Sequence, residues 1–314
     1  MSYVLGSGSK LYMKILSSPT GDIGTPVYFE LPFVSESLNP NADFINSNNL
    51  SVGRSTGIGE KGNVAADGSF ETEVSIQNLV YLLIGALGNW SDGSITHHDS
   101  ELPTYEVVVL HGSDNTMPMT FTGAKINNFK MSLVSNAVLT ASIDLVGLSY
   151  DTESVSLGTP EAMDTTNLLY PSTLDTLTIG GVSVLDDVTS FDFTINSNIS
   201  TDLSKLDGSG RIALIPGELN VTGTFEAIID TDDPLGLKSA DVGTPLDTIV
   251  VTFSATDSTV LTFQNVYVTS ITHDVNDRGV LKVSVEFSAF KSGADNPLVV
   301  TYTNNNSKIY VPLS

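Results

Sequence analysis

The sequence contains no cysteine in its 314 residues. This absence excludes disulfides, thiolate zinc sites and cysteine nucleophiles, so the stability of the fold has to come from packing. Tryptophan is nearly absent as well, because Trp90 is the only one, and this leaves little of the aromatic platform that saccharide-binding grooves use. Both gaps weaken enzymatic interpretations of the chain.

Basic residues are also scarce, since 13 Lys and Arg stand against 36 Asp and Glu, for a net charge of −23 at pH 7. A surface of that charge repels nucleic acid phosphates and anionic lipids. It also weakens contacts between like subunits unless salt screens the repulsion. We therefore expect no specific binding of nucleic acid and no attraction to a membrane surface.

Long hydrophobic runs are missing too. The longest apolar run, residues 79–87, is interrupted by Tyr81 and Gly85 and is far shorter than the roughly 20 residues that cross a bilayer. Residues 1–19 carry two basic residues, Lys10 and Lys14, and lack the charged and apolar regions of a secretory signal. We expect no membrane segment and no export by that route.

Apolar and polar residues alternate over many short stretches of the chain. A period of two with frequent Gly, Asn and Asp predicts strands joined by turns. A helical period occurs in residues 75–88, and Gly88 stands where that helix would end. A shorter helix is predicted over residues 233–240, with Asp233 as its N-cap. The clearest alternating stretches are residues 11–15, 27–31 and 281–287.

An internal repeat is the most informative feature of the sequence. Residues 105–150 align without a gap on residues 247–292, and Gly-Ser-Phe-Glu at 68–71 resembles Gly-Thr-Phe-Glu at 223–226. Chance similarity between segments rich in Val, Thr and Ser is the alternative, but the shared order upstream favours duplication. Matched positions include Val108 with Val250, Phe121 with Phe263, Leu139 with Leu281, Ser142 with Ser284, and Asp144 with Glu286.

Duplication of strand-rich segments predicts an all-β fold with one or two short flanking helices, built as two tandem β-sandwich or barrel domains. The first domain would comprise residues 1–150, with its helix near 77–88. The second would comprise residues 171–314 and include the C-terminal strands. Residues 151–170, with Pro160 and several Ser and Thr, form the predicted linker.

Motifs for catalysis or metal binding are weak. His97 and His98 are consecutive, so in an extended loop their side chains would diverge from a common metal. The acidic loop at 230–233 resembles part of a calcium site but lacks the Gly turn and the distal bidentate Glu. The Gly-Ser clusters at 6–9 and 208–210 lack the strand–turn–helix context of a serine hydrolase. We therefore predict no catalytic residue, no metal ion and no cofactor.

Four segments resemble the tail tube proteins of long-tailed, siphovirus-like bacteriophages in their pattern and order. They are residues 6–12, 62–73, 79–88 and 122–129. The similarity spans most of the chain and rests on no invariant catalytic residue. The chain is thus similar to a phage major tail tube protein with a duplicated tube domain.

This resemblance implies a structural virion protein and not an enzyme. Members of the family have a sandwich or barrel-like core with a flanking helix, and they form hexameric rings, or trimeric rings where the domain is duplicated. We expect trimeric rings with pseudo-sixfold symmetry, with a hexamer of chains as the alternative. The rings would stack into the tail tube between the tail terminator and tip proteins and around the tape measure protein. The chain would be made in the host cytoplasm and reside in the virion tail.

An acidic inner wall would let DNA pass during ejection without specific binding, because it repels phosphates. Screening confines the repulsion to about 8 Å at physiological salt, so only lumen-facing acids matter. Ordinary solvated charge is the alternative for every residue named next. The lumen-facing acids predicted from the long hairpins are Glu36, Asp43, Glu60, Asp202, Asp207 and Glu218. The predicted inter-subunit charges are Arg54, Lys61, Lys205 and Arg211.

The alternative function is that of a secreted or cell-surface acidic β-sandwich protein, such as an adhesin or a surface-layer module. Such a protein shares the acidity, the lack of cysteine and the abundance of Thr and Asn. The absence of a secretory signal in residues 1–19 argues against it. A glycoside-cleaving enzyme is a third class, in which one Asp or Glu substitution would abolish hydrolysis.

Overall fold

Strands dominate the described part of the chain. A computed structural model describes residues 8–19, 26–46, 59–91, 93–112, 117–153, 155–163, 165, 167–207, 209–229, 235–237, 240–254, 257–274 and 281–303, with only the backbone at 41, 43, 44, 59, 63, 117 and 274. The elements of the first half are β1 (Lys10–Ser17), β2 (Phe29–Leu31), β3 (Ser35–Glu36), β4 (Asn39–Asn46), β5 (Gly59–Glu73), α1 (Ile76–Leu87), β6 (Gly88–Ser91), β7 (Ser94–His97), β8 (Thr104–His111), β9 (Met117–Val134), β10 (Thr140–Gly147) and β11 (Ser149–Asp151).

The second half continues with strands and one 3-10 turn, Pro171–Thr173. Of the helix predicted over 233–240, the described residues 235–237 and 240 are not helical, and the others lie outside the described part. The strands are β12 (Glu161–Ala162), β13 (Leu174–Ile179), β14 (Val182–Ser183), β15 (Val188–Asn196), β16 (Asn220–Ile228), β17 (Pro245–Ser254), β18 (Ser258–Asp274), β19 (Lys282–Ala289) and β20 (Leu298–Thr303). The predicted all-β class is confirmed, with one short helix in the described residues.

Helix α1 is capped at both ends, which confirms the helix predicted near 77–88. The Ser75 hydroxyl accepts a hydrogen bond from the Asn78 N–H at 3.3 Å, and the Asn78 side chain accepts one from the Ser75 N–H at 2.8 Å. A cap of this kind stabilises a helix by about 1 kcal/mol. Gly88 ends the helix at φ 90°, a left-handed conformation that favours glycine.

Two sheets share the long strand β9. The smaller sheet runs β12–β2–β1–β8, then the N-terminal half of β9, then β11. The larger sheet starts with β3 and β4 and continues β5–β10, the C-terminal half of β9, β15–β16–β19 and the C-terminal half of β18. The N-terminal half of β18 pairs with β17 and β20. Both long strands therefore change partners half-way along.

The sequence repeat corresponds to repeated strands in the same register. Strands β8, β9 and β10 match β17, β18 and β19, while β5 matches β16. Ile143 lies opposite Phe70 in the first half, and Val285 lies opposite Phe225 in the second. Glu36 faces Phe70 just as Phe191 faces Phe225, so β3 and β4 together match β15. We call β1, β3–β5 and β8–β10 the first repeat, and β13 and β15–β19 the second repeat.

The buried core is continuous across both repeats. The ring of Phe129 in β9 lies 5.8 Å from that of Phe193 in β15, which in turn packs edge-on against Phe263 at 5.2 Å. Aromatic pairs at such distances contribute about 0.5–1.5 kcal/mol beyond the burial of their area. The domain boundaries at 150 and 171 therefore remain predictions, because packing does not separate the halves.

The segment predicted as a linker, residues 151–170, lies along the first repeat. The Met163 N–H donates to the Glu30 carbonyl at 3.1 Å, and the Leu169 N–H donates to the Val74 carbonyl at 2.7 Å. Leu169 is fully buried. Backbone hydrogen bonds and two buried apolar side chains, those of Met163 and Leu169, therefore hold much of this segment against the sheet.

Candidate functional site

The two repeats join where β15 pairs with the C-terminal half of β9. The antiparallel register runs from Ser190 opposite Val134 to Asn196 opposite Asn128. The Ser197 N–H extends the ladder by donating to the Asn127 carbonyl at 2.8 Å. We call this pairing the junction, and it makes one continuous sheet out of strands from both repeats.

The same sheet has two outer edges among the described residues. At one end β3 and β4 pair with β5 alone, and at the other end the C-terminal half of β18 pairs with β19 alone. The repeat makes β3 and β4 the counterpart of β15, and β18 the counterpart of β9. The two outer edges are therefore formed by the counterparts of the two strands that pair at the junction. Within one chain they lie at opposite ends of the sheet and do not pair with each other.

The edge formed by β3 and β4 is protected in the single chain. The Ser37 N–H donates inward to the Ser69 carbonyl at 2.8 Å, so the neighbouring positions point to the outer edge. There the Leu38 N–H donates to the Glu36 carboxylate at 2.9 Å, and Pro40 has no N–H to offer. Such devices keep exposed edges from pairing indiscriminately.

The outward side chains of the larger sheet form a polar surface that we call the open face. In β10, for example, Ile143 and Leu145 point into the core while Ser142 and Asp144 alternate with them and stay half-buried. Carboxylates outnumber amines on this face, so it is acidic. Its described acids are Asp67, Glu71, Glu73, Asp144, Asp192, Glu226 and Glu286, and its described lysines are Lys125, Lys130 and Lys282.

Two carboxylate positions on the open face occur in both repeats. In each case the residue directly opposite on the neighbouring strand is a Ser or Thr, so the setting is repeated together with the charge. Both positions were visible in the sequence repeat, which aligns them. The matched acids are Asp144 with Glu286, and Glu71 with Glu226.

The connection between β15 and β16 lies against the first repeat; we call its residues 197–219 the second arm. The Arg211 guanidinium pairs with Asp67 through two nitrogens, one of them with Nη2 2.7 Å from Oδ2. Arg211 also donates to the Gly147 carbonyl at 3.0 Å. This fork of charge-assisted bonds ties the second arm to the first repeat.

The sequence profile of a known family matches most of the chain. The family is described as Phage tail tube protein, and the match covers residues 6–289. The chain belongs to this family. No curated protein matches the sequence. Membership confirms the resemblance found in the sequence, and it makes the chain a structural protein of the phage virion tail, where copies assemble into a tube.

The predicted lumen-facing acids of this tail tube protein do not form one group. Glu36 lies at the protected edge, on the core side of the sheet, where its Oε1 is 2.9 Å from His111 Nε2. The Asp43 side chain lies outside the described residues. A lumen position for these acids stays a prediction. The exposed members, at the base of β5 or in the second arm, are Glu60, Asp202, Asp207 and Glu218.

The predicted inter-subunit charges are similarly scattered. Arg211 already has Asp67 as its partner within the chain. Lys61 is exposed, with its Nζ 5.8 Å from the centre of the Tyr150 ring, and Lys205 is exposed in the second arm. Arg54 lies outside the described residues. Contacts of Lys61 and Lys205 with a neighbouring chain stay predictions.

Hydrogen bonds favour the ionised form of three carboxyl groups, Asp99, Asp207 and Glu226. The Ser209 backbone N–H, 2.9 Å from Asp207 Oδ1, lowers the pKa of Asp207. The Lys282 amine, 2.9 Å from Glu226 Oε2, lowers the pKa of Glu226, and the Thr189 hydroxyl adds to this. One of the repeated carboxylates of the open face is therefore held in its charged form.

The histidines serve local contacts. His97 Nε2 lies 3.9 Å from Asp99, while burial lowers the pKa of His97, and His273 Nε2 lies 3.1 Å from the Leu237 carbonyl. Within the described ranges, no three His, Asp or Glu side chains converge as metal ligands. The helix found there is also too short to cross a bilayer.

Proposed function

We propose that three chains close a ring in which the C-terminal half of β18 in one chain pairs with β3 and β4 of the next. The junction supports this arrangement, because β9 and β15 already pair within the chain as their counterparts would between chains. A head-to-tail contact repeated around a closed ring satisfies both edges of every chain. Two repeats in each of three chains give pseudo-sixfold symmetry, and a hexamer of chains is the alternative.

The register inside the chain specifies the register between chains. Thr194 lies opposite Lys130 at the junction. The bond from Ser197 to Asn127 places that pair at a non-hydrogen-bonded position, where Cα atoms are about 4.5 Å apart. The counterparts of this pair are Asn39 in one chain and Thr272 in the next.

Edge protection makes the contact between chains weaker than the junction. Pairing would displace the Glu36 carboxylate from the Leu38 N–H, and Pro40 would leave one ladder bond unmade. A hydrogen bond to a charged group such as this carboxylate contributes about 1.5–3 kcal/mol net. Single chains would then resist indiscriminate pairing, while a matched edge would still compete for the Leu38 N–H.

The ring would turn the open face towards the channel. The core and α1 lie on the other side of the sheet, so they would form the outer layer of the tube. Asp144 and Glu286 would recur six times around the inner wall, as would Glu71 and Glu226. These acids would repel DNA at short range, and DNA would pass through without being bound.

Stacked rings of this kind would form the tail tube. The tail terminator and tail tip proteins would bound the stack, and the tape measure protein would occupy the channel before DNA passes. The net charge of −23 opposes close approach of subunits, so assembly should strengthen as salt is raised from low concentrations. The chain would act as a structural part and not as an enzyme.

Paired cysteines test the proposed contact directly, because the chain has no cysteine of its own. The variant Asn39→Cys/Thr272→Cys should form disulfides between chains after mild oxidation. The matched control is Thr194→Cys/Lys130→Cys at the equivalent pair of the junction, which should form a disulfide within one chain. Cα separations near 4.5–5.5 Å fall within the range that a disulfide spans.

Denaturing gels without reductant distinguish the outcomes. A covalent ladder that ends at three chains supports the trimer, and one that ends at six supports a hexamer of chains. Electron microscopy of the oxidised sample should show closed rings or tubes. If the control pair cross-links and the Asn39/Thr272 pair does not, the proposed ring contact is wrong.

A further inference from the structure

The second arm covers a defined surface of the first repeat. The Ile199 N–H donates to the Asn127 side chain at 2.8 Å, and Lys125 donates to the Leu214 carbonyl at 3.0 Å. The Ile199 and Leu214 side chains are buried in one cluster with Leu102. The surface that receives the arm consists of Asp67, Leu102, Lys125, Asn127, Gly147 and Leu148.

The second repeat has the same surface, with aromatic residues at its centre. Phe290 stands in the place of Leu148, and Tyr267 in the place of Lys125. Their rings lie 6.0 Å apart in an edge-on contact, and the residues are 50% and 42% exposed. A groove of about 400 Å³ beside them is lined by Thr222 and Ala289, which replace Asp67 and Gly147.

Residues 42–64 correspond to the second arm in the repeat, and we call them the first arm; the structure describes residues 42–46 and 59–64 of it. Ile45 lies opposite Glu60 in the first arm, and Ser200 lies opposite Ile215 in the second, so the two arms begin in the same register. Ile45 is 63% exposed. The described base of the first arm therefore has the register of the second arm, with an apolar side chain in solvent.

We propose that the Tyr267–Phe290 surface and its groove bind the first arm of a second copy of this chain. This inference rests on the proposed ring and adds a second contact to it, outside the sheet. The intrachain seat of the second arm supports it, since the same two structural parts already fit together between the repeats. The sheet edge and the arm would then bind the same neighbouring chain at once.

The two seats differ in their chemistry. The seat within the chain uses an ion pair, because Asp67 binds Arg211. The proposed seat between chains has Thr222 in the place of Asp67 and an aromatic pair in the place of Lys125 and Leu148. Salt screens ion pairs but does not weaken apolar contacts. The groove also carries Glu218 and Asp99, of which Asp99 is paired with Lys291, so the aromatic pair supplies the apolar contact of this seat.

The variant Phe290→Asp tests this seat by placing a charge at its centre. We expect the protein concentration needed for ring formation to rise at least ~10-fold, as measured by mass photometry, while the melting temperature of the monomer stays near that of the wild type. Tyr170→Asp is the matched control, because Tyr170 is 42% exposed and lies outside both arms and the groove. It should assemble like the wild type.

Photo-cross-linking identifies the occupant. A benzophenone amino acid placed at position 290 should cross-link to peptides within residues 42–62 of another chain, as identified by mass spectrometry. If the wild type forms rings and Phe290→Asp assembles equally well, the proposed seat is wrong and the proposed ring stands. Cross-links to another segment would lead to the same conclusion. Failure of the wild-type chain to form rings would overturn both.

Discussion

The junction in the middle of the long sheet and the two edges at its ends are built from matching strands with different residues. The positions of β15 that face β9 are Phe191, Phe193 and Ile195, which are all buried and all carry an N–H. Their counterparts in the first repeat are Glu36, Leu38 and Pro40. The Glu36 carboxylate accepts a hydrogen bond from the Leu38 N–H, and Pro40 has no N–H. One strand position thus forms a contact within the chain in the second repeat, whereas in the first repeat it forms a protected edge, for which we propose a contact with a neighbouring chain.

Removal of a junction aromatic should have the largest effect. We expect Phe193→Ala to lower the free energy of unfolding by about 3–5 kcal/mol, because Phe193 is fully buried between Phe129 and Phe263. Denaturant unfolding of the monomer measures the change. Phe290→Ala is the control, since this half-exposed ring should contribute less than about 1 kcal/mol in the single chain. Equal losses in the two variants would contradict the comparison.

Removal of the Glu36 carboxylate, which protects the edge formed by β3 and β4, should lower the stability of the monomer moderately and should speed ring assembly. Glu36→Ala frees the Leu38 N–H and removes the contact with His111, so rings should form faster in light scattering, while the monomer loses about 1.5–3 kcal/mol. Glu153→Ala, at an exposed position outside both arms and both edges, should leave the rate unchanged. Slower assembly of Glu36→Ala would show that the carboxylate belongs to the contact and does not guard it.

We expect the smallest change in stability on removal of Lys282, which pairs with Glu226 in the second repeat. The first repeat has Thr140 at the equivalent position and therefore lacks this charge. Lys282→Met should raise the pKa of Glu226 towards its ordinary value, because the amine is the main cause of the lowered pKa. A lowered pKa stabilises the fold above the unfolded-state pKa, and this is lost as pH falls through the folded-state pKa.

Both partners are more than a third exposed, so the change in unfolding free energy should stay under about 0.5 kcal/mol. Side-chain NMR titration measures the shift. Asp207, whose pKa is lowered by the Ser209 N–H, should titrate unchanged in the same variant. A shift at both residues would indicate a general change of charge and not the loss of one pair.

Sequence patterns predicted those features that depend on neighbouring residues. The alternation predicted the strands, and the gapless match of 105–150 with 247–292 corresponds to β8–β10 and β17–β19. The helical period and Gly88 predicted α1 and its end. Each of these signals is local, since a strand face or a helix cap is specified within a few residues.

The candidate site was predicted less well. A lumen position for the acids of the long hairpins stays a prediction, and the acidic open face found in the structure is carried by strands and includes Asp144 and Glu286, which the repeat aligns. Alternation alone could have assigned these side chains to the outer face of a strand. What it could not supply was the identity of the strands beside them, because pairing between distant segments depends on the packing of the whole sheet.

By itself, the sequence determined an acidic, cysteine-free, duplicated all-β chain and its resemblance to tail tube proteins, because composition, period and repeat are properties of order along the chain. Tertiary structure alone decided that β15 continues the sheet of β9 and that the second arm lies on the first repeat. It also decided that the two edges of this sheet match each other and that the second repeat carries a groove beside an aromatic pair. Those features arise where segments far apart in sequence meet, and backbone hydrogen bonds there take whichever partner the packed core brings within reach.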